Sequence, residues 1–331
     1  MTLTGRPAAC LVTMFAMAPH RDSSCTGSPP ARKIVLPRYG RSTLESCEQG
    51  NPAALGWRDS RPVTEIPPGQ RLFARYAYAP NHLGYCGPAD AAALFELGCD
   101  DASPGGQPPA AQLAPIAARF TGVWPYLAVL AELAGIGDPL DERVVRAYWT
   151  GGPLLDTVDR TAFGTRLLER ISATGAGRYW THLTKELLPE AAPTHAFHVF
   201  GVYPWSRLLT AGQPEHPLRV LDGCRIRWAQ IVSAAGDHAA VRTSSLTWES
   251  SRLGLGSEHE ETVRLADRGR GFVARPRTGE WVAVHWGWIS DRLTDTDLSY
   301  LRRWTDWQLA ATNRRLAGAG AGRKQRPRTE V

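Results

Sequence analysis

The segment Cys224-Arg-Ile-Arg-Trp-Ala-Gln-Ile-Val232 decides the fold of the C-terminal part of this 331-residue chain. Apolar residues alternate with polar ones after the thiol, which predicts a β-strand that starts with Cys224. The segment Gly279-Glu-Trp-Val-Ala-Val-His-Trp-Gly287 predicts a tight turn followed by a strand that carries His285. A thiolate and an imidazole are common ligands of transition metals. Cys224 and His285 are therefore the first candidate metal ligands.

Further short strands are predicted between these two segments. The five predicted strands cover 220–233, 239–248, 262–266, 271–273 and 280–289, with turns at Gly236-Asp237, Gly254-Leu-Gly256 and Thr278-Gly279. Five short strands within about 70 residues indicate a small closed β-barrel of the OB type. Thr294-Asp-Thr-Asp297 then predicts the start of a final helix at about 296–316.

The chain before the barrel has the periodicity of helices. Apolar residues recur at three- and four-residue intervals between residues 71 and 212. Residues 1–66 lack such a period and predict a disordered extension, and residues 317–331 predict a basic disordered tail. The predicted fold class is α+β: a helical domain at 71–212, followed by a small OB-like β-barrel with a C-terminal helix at 218–316.

The charge distribution narrows the function classes. The net charge is +6, but residues 71–313 carry 24 basic and 26 acidic residues, a charge of −2. Since nucleic-acid binding needs a basic surface, this argues against a nucleic-acid-binding OB protein, which is kept as a third hypothesis. No stretch reaches the roughly 18 apolar residues of a membrane span. The six cysteines lack the spacing of a disulfide framework or zinc ribbon, so we expect a cytoplasmic protein.

Residues 220–310 resemble the HypC/HupF family of nickel–iron hydrogenase assembly chaperones. That family has an opening Cys-x-x-x-Pro-Gly-x-Val strand and a later Gly-Asp-x-Val-x-x-His-x-Gly segment. The matching residues here are Cys224, Ala229 and Ile231, then Gly279, Glu280, Val282, His285 and Gly287. The chain departs from the pattern in two ways: Trp228-Ala229 replaces the Pro-Gly pair, and Cys224 is internal, whereas the family's cysteine follows the initiator methionine.

The resemblance implies a carrier and not an enzyme. The family holds an iron atom with cyanide and carbonyl ligands together with HypD, and delivers it to the hydrogenase large subunit. By this resemblance the protein is an accessory protein of nickel–iron hydrogenase maturation, with a HypD-like protein or the large subunit as partner. Cys224 would anchor a transiently bound iron and His285 would support it, side by side on the barrel rim. Residues 71–315 also resemble an uncharacterised bacterial family, often encoded near nickel–iron hydrogenase genes, with Tyr-Cys-Gly-Pro, Phe-His-Val-Phe and Tyr-Pro-Trp motifs.

The helical domain suggests an enzyme as the second hypothesis. Cys86 precedes a predicted helix, whose N-terminal N–H groups lower a thiol pKa, and its segment resembles the start of the catalytic helix of papain-like peptidases. A cysteine hydrolase would use Cys86 with His195 or His198 as base. Alternatively, these three residues and His82 would form a metal site. That site needs both histidines on one helix face, whereas the apolar residues after His198 favour a strand.

Overall fold

Among the residues that the structure describes, helices precede residue 225, and a β-sheet and one long helix follow. The computed structural model describes residues 66–99, 113–174 and 180–324. The helices are α1 (Pro68–His82), α2 (Ala91–Gly98), α3 (Leu113–Ala118), α4 (Trp124–Leu133), α5 (Glu142–Trp149), α6 (Arg160–Thr174), α7 (His195–Phe197), α8 (Trp205–Leu208), α9 (Glu215–Cys224) and α10 (Asp295–Lys324). The strands are β1 (Arg227–Ala235), β2 (His238–Glu249), β3 (Arg252–Arg264), β4 (Ala266–Asp267), β5 (Arg270–Gly271), β6 (Trp281–His285) and β7 (Trp288–Arg292). This content confirms the predicted α+β class.

The sheet closes on itself. Its strands pair in the order β1–β2–β3–β7–β6, and β6 pairs again with β1. All these pairings are antiparallel except that of β3 with β7, which is parallel. Side chains from the five strands fill the interior, among them Ala229, Ile231, Val241, Val263, Val282 and Ile289. Strands β4 and β5 form a separate two-stranded hairpin.

Several predicted boundaries are wrong. Cys224 does not begin a strand but ends α9, because Val220, Leu221 and Cys224 form the buried side of that helix. Gly254-Leu-Gly256 is not a turn: it lies within β3, where pairing with β2 outweighs the low strand propensity of glycine. Helix α10 continues beyond residue 316 to Lys324, so the predicted disordered tail is helical up to that point.

The two chain ends are described only in part. Residues 325–331 of the predicted tail lie outside the described residues, as does the predicted extension apart from Ile66, which is buried. Among the helices that the structure describes, we find none whose length and apolar character would allow it to cross a membrane.

A buried ionic network joins the helices to the barrel. Arg75 of α1 lies 3.2 Å from Asp291 of β7, and Arg146 of α5 lies 3.4 Å from both Asp291 and Asp297. The two carboxylate side chains are less than 10% exposed. Since a buried charge is stable only when it is paired, the network fixes α1 and α5 against β7 and the start of α10. The end of the neighbouring strand β6 therefore lies against the helices.

Candidate metal centre

His195, Cys224 and His285 meet where the helices contact the barrel. One ligand atom from each residue, an imidazole nitrogen or the thiol sulfur, lies within 4.8 Å of the other two. Cys224 Sγ is 3.8 Å from His195 Nε2. Two ligands of a tetrahedral zinc ion, with bonds of about 2.0–2.3 Å, lie about 3.5 Å apart. The cluster is thus close to the size that one metal ion requires.

Each of the three residues lies at the end of a secondary-structure element. His195 begins α7, Cys224 ends α9 and His285 ends β6. The N–H of Trp286 donates a hydrogen bond of 2.9 Å to the Gly223 carbonyl. This bond ties the end of α9 to the end of β6, so that Cys224 lies beside His285.

His285 presents an unprotonated nitrogen to the cluster. Its Nδ1 is 2.8 Å from the Tyr76 carbonyl oxygen, which can only accept, so Nδ1 carries the proton. Nε2 then carries the lone pair; it is buried, and the nearby Cys224 carbonyl falls short of a regular hydrogen bond to it. Burial lowers the pKa of His285 to about 4, against the opposing effect of the Tyr76 and Cys224 carbonyls. A neutral imidazole held at Nδ1 by a carbonyl is the usual state of a metal-ligating histidine.

His195 is held from two sides. Its Nε2 donates to the Cys224 carbonyl at 2.8 Å, and its Nδ1 accepts from the Tyr148 hydroxyl at 3.1 Å. Because a hydroxyl can also accept, the proton can be carried by Nδ1 instead, which frees Nε2 for a metal. Burial, with His285 and His198 as smaller contributions, lowers the pKa of His195 well below its usual range. The ring is therefore neutral at pH 7.

The Cys224 thiol is suited to a metal ligand and not to a nucleophile. It is 8% exposed. Burial raises its pKa far above the usual range, and Cys86 adds to the rise. The indole N–H of Trp286 lies near the sulfur and partly offsets this rise in pKa, although it does not form a regular hydrogen bond. The C-terminal end of α9 also disfavours a thiolate, because the helix dipole is negative there. A bound metal ion reverses this balance, since a coordinating thiol loses its proton.

Aromatic rings surround the cluster. The Trp149 ring lies 4.6 Å from the His195 ring and 5.7 Å from the His285 ring, measured between centroids. On the outer side, Tyr85 stacks on Trp286 at 4.0 Å. His285 is only 1% exposed, so the expected position on an open barrel rim is wrong. The barrel end that carries it is covered by the helices.

Cys86 is not placed as the hydrolase hypothesis expects. It is half-buried in the turn after α1, and α2 begins only at Ala91, so its thiol is not at a helix N-terminus. Burial raises the pKa of Cys86 to about 12, the opposite of what an activated nucleophile needs. The sulfur next to His195 Nε2 is that of Cys224, at 3.8 Å. His82 is exposed at the end of α1 and is not part of the cluster.

His198 lies behind the cluster. The strand favoured for this segment is wrong: α7 passes at His198 into a π-helical turn that runs to Val202. The ring centroids of His195 and His198 are 6.0 Å apart, and the two ring planes are inclined by 26°. His198 Nδ1 is 3.3 Å from the Tyr126 hydroxyl, and burial lowers the pKa of His198 to about 3. A π-helical turn is frequent beside functional sites, and here it follows directly on His195.

The residues that orient the ligands were missed from the sequence. Tyr148 and Trp149 are adjacent aromatic residues, a pattern that gives no direct signal of a ligand-orienting role. Tyr148 in fact holds His195, and Trp149 contacts both cluster histidines. Tyr76 contributes a main-chain carbonyl, for which a sequence has no signal.

Comparison with known proteins gives a family and no function. No curated protein and no solved structure matches the chain. One family model matches residues 65–319, a range that includes the three cluster residues and both parts of the fold. The chain therefore belongs to DUF6390, a family of unknown function.

Proposed function

We propose that this protein binds one transition-metal ion through His195, Cys224 and His285 and acts as a metal-handling accessory protein, not as an enzyme. The observation that carries the proposal is the buried, unpartnered Nε2 of His285 beside a second imidazole and a thiol. A buried polar atom without a partner costs about 1–3 kcal/mol, and a metal–nitrogen bond removes that cost. One sulfur and two nitrogens suit zinc, iron, nickel or copper.

The resemblance to the HypC/HupF family supports a more specific form of this proposal. In that form the metal is iron with cyanide and carbonyl ligands, bound transiently during nickel–iron hydrogenase maturation. A HypD-like protein or the hydrogenase large subunit is the partner. The closed sheet with its parallel β3–β7 pair and trailing helix is compatible with an OB-like barrel. The proximity of Cys224 and His285 fits a shared iron. Their burial means that delivery requires the Tyr85–Trp286 cover to open.

Metal analysis of protein purified without oxygen tests the general proposal. We expect about one metal ion per chain in the wild type, and its loss in Cys224→Ser and His285→Ala, since each variant removes a ligand. Cys99→Ser is the matched control, because Cys99 is a buried cysteine outside the cluster. Equal metal contents in all four proteins would contradict the proposal.

Infrared spectra of the same samples test the hydrogenase form. The account predicts cyanide and carbonyl stretching bands in the wild type and in Cys99→Ser, and their loss in Cys224→Ser. Bound metal without these bands would remove the hydrogenase form and leave the general proposal intact.

A further inference from the structure

Cys86 lies beside the metal centre although it is not one of the three clustered residues. The ring of its neighbour Tyr85 stacks on the Trp286 ring at 4.0 Å. The main-chain N–H of Trp286 donates a hydrogen bond to the carbonyl of Gly223, the residue before Cys224. Direct contacts therefore lead from the Cys86 turn to the Cys224 main chain. The electrostatic effect of Cys86 reaches the same place, because it raises the pKa of Cys224. The turn that carries Cys86 therefore adjoins the end of α9, where Cys224 lies.

The turn that carries Cys86 has a glycine on each side of the Tyr85-Cys86 pair. Gly84 has φ 76° and Gly87 has φ 79°, in the left-handed region that glycine adopts without strain. A Cβ atom at Gly84 would meet nothing within 4 Å, so there is open space around this end of the turn. The Asn81 side-chain amide holds the Cys86 carbonyl at 2.8 Å. The Cys86 N–H also donates to the Pro80 carbonyl at 3.3 Å, and a Cβ atom at Gly87 would meet the Phe120 ring. The main chain of the turn is therefore held, and rotation about the Cα–Cβ bond redirects the Cys86 thiol.

One more ligand would complete the coordination of a metal ion in the cluster. A tetrahedral metal ion takes four ligands, and His195, Cys224 and His285 supply three. Cys86 is half-buried, whereas the three clustered residues are buried.

We propose that Cys86 is the fourth and exchangeable ligand, which closes over a metal ion already held by His195, Cys224 and His285. This inference rests on the proposed function. The complete site has two thiolates and two imidazoles, and each thiol releases its proton to solvent as it binds the metal. Exchange at Cys86 gives a partner access to the metal while the three buried ligands stay in place.

Cobalt(II) added to the metal-free, full-length protein tests this inference. Thiolate-to-cobalt charge-transfer absorption grows with the number of bound thiolates, and the visible bands report tetrahedral geometry. At one cobalt per chain we expect about half the wild-type charge-transfer intensity in Cys86→Ser, which keeps three ligands and one of the two sulfurs, and none in Cys224→Ser, which no longer holds the ion. Cys99→Ser should match the wild type.

The outcomes separate this inference from the proposed function. If Cys86→Ser keeps the full wild-type intensity while Cys224→Ser loses all of it, Cys86 is not a ligand and the three-residue site stands. If the wild-type protein takes up no cobalt, both proposals fail. Alkylation of Cys86 by iodoacetamide is an independent readout that needs no variant. Cobalt should protect Cys86 from labelling, and labelling at an unchanged rate would overturn the inference.

Discussion

The buried imidazole of His198 should make the folded state sensitive to acid. His198 is 1% exposed, and burial lowers its pKa to about 3. In the unfolded chain the same ring has an ordinary pKa of about 6.5. Between these two values the unfolded state binds a proton that the folded state does not bind. The free energy of unfolding therefore falls as the pH drops from about 6.5 towards 3.

The size of the effect follows from the two pKa values. At about pH 4.5 the ring is still neutral in the folded state, and the unfolded pKa lies about two units above the pH. Each unit is worth about 1.36 kcal/mol, so His198 lowers the free energy of unfolding by about 2.7 kcal/mol. This is a large part of the 5–15 kcal/mol that is typical of a folded domain.

Urea unfolding of the metal-free protein at about pH 7 and about pH 4.5 measures this difference. His198→Gln replaces the imidazole with a neutral amide that can still meet the Tyr126 hydroxyl. Between the two pH values we expect the variant to lose about 2.7 kcal/mol less than the wild type. His82→Gln, at the exposed end of α1, should behave as the wild type does. If His198→Gln and the wild type show the same pH dependence, the neutral buried imidazole is refuted.

Trp286 has φ 51° in the two-residue turn between β6 and β7, so Trp286→Asn relieves about 1 kcal/mol of backbone strain while it loses the stacking contact. We expect a free energy of unfolding within about 1 kcal/mol of the wild type but faster labelling of Cys224 by a thiol reagent. An unchanged labelling rate would show that the Trp286 ring does not cover the Cys224 sulfur. Asp291→Asn leaves Arg146 with a weaker partner in the buried network and should lower the free energy of unfolding by about 3 kcal/mol. An unchanged midpoint of urea unfolding would mean that the ions are well solvated. Gly69→Ala would place a methyl group against the main chain just before α5 and should lower the free energy of unfolding by more than about 2 kcal/mol. Thermal unfolding tests this, and a wild-type melting temperature would contradict the close packing.

Strands β1, β2 and β6 were predictable because their signals are local: apolar alternation and turn glycines mark them. The single strand predicted at 280–289 is wrong, since a turn at Trp286-Gly287 divides it into β6 and β7, and most of β3 lies before the strand predicted at 262–266. The segment before β1 is ambiguous, since Val220, Leu221 and Cys224 fit either a short strand or one face of a helix. Contacts with other parts of the chain decide for the helix: Leu221 and Cys224 pack in one apolar cluster with Phe200 and Leu246.

The composition of the candidate metal centre could be predicted only in part. Cys224 and His285 carry recognisable motifs, and the structure brings them together. His195 lies 29 positions before Cys224, in a segment whose residues Val199 and Val202 favour a strand by intrinsic propensity. Burial on all sides overrides that propensity and produces the π-helical turn. The meeting of His195 with the barrel therefore depends on tertiary packing, which a local pattern does not encode.

Anomalous diffraction from crystals grown with zinc, recorded at the zinc absorption edge, tests the central claim most directly. The account predicts one strong peak per chain, within about 2.0–2.3 Å of a nitrogen of His195, a nitrogen of His285 and the sulfur of Cys224. A peak found only at exposed histidines, or none near the His285 ring, would contradict it.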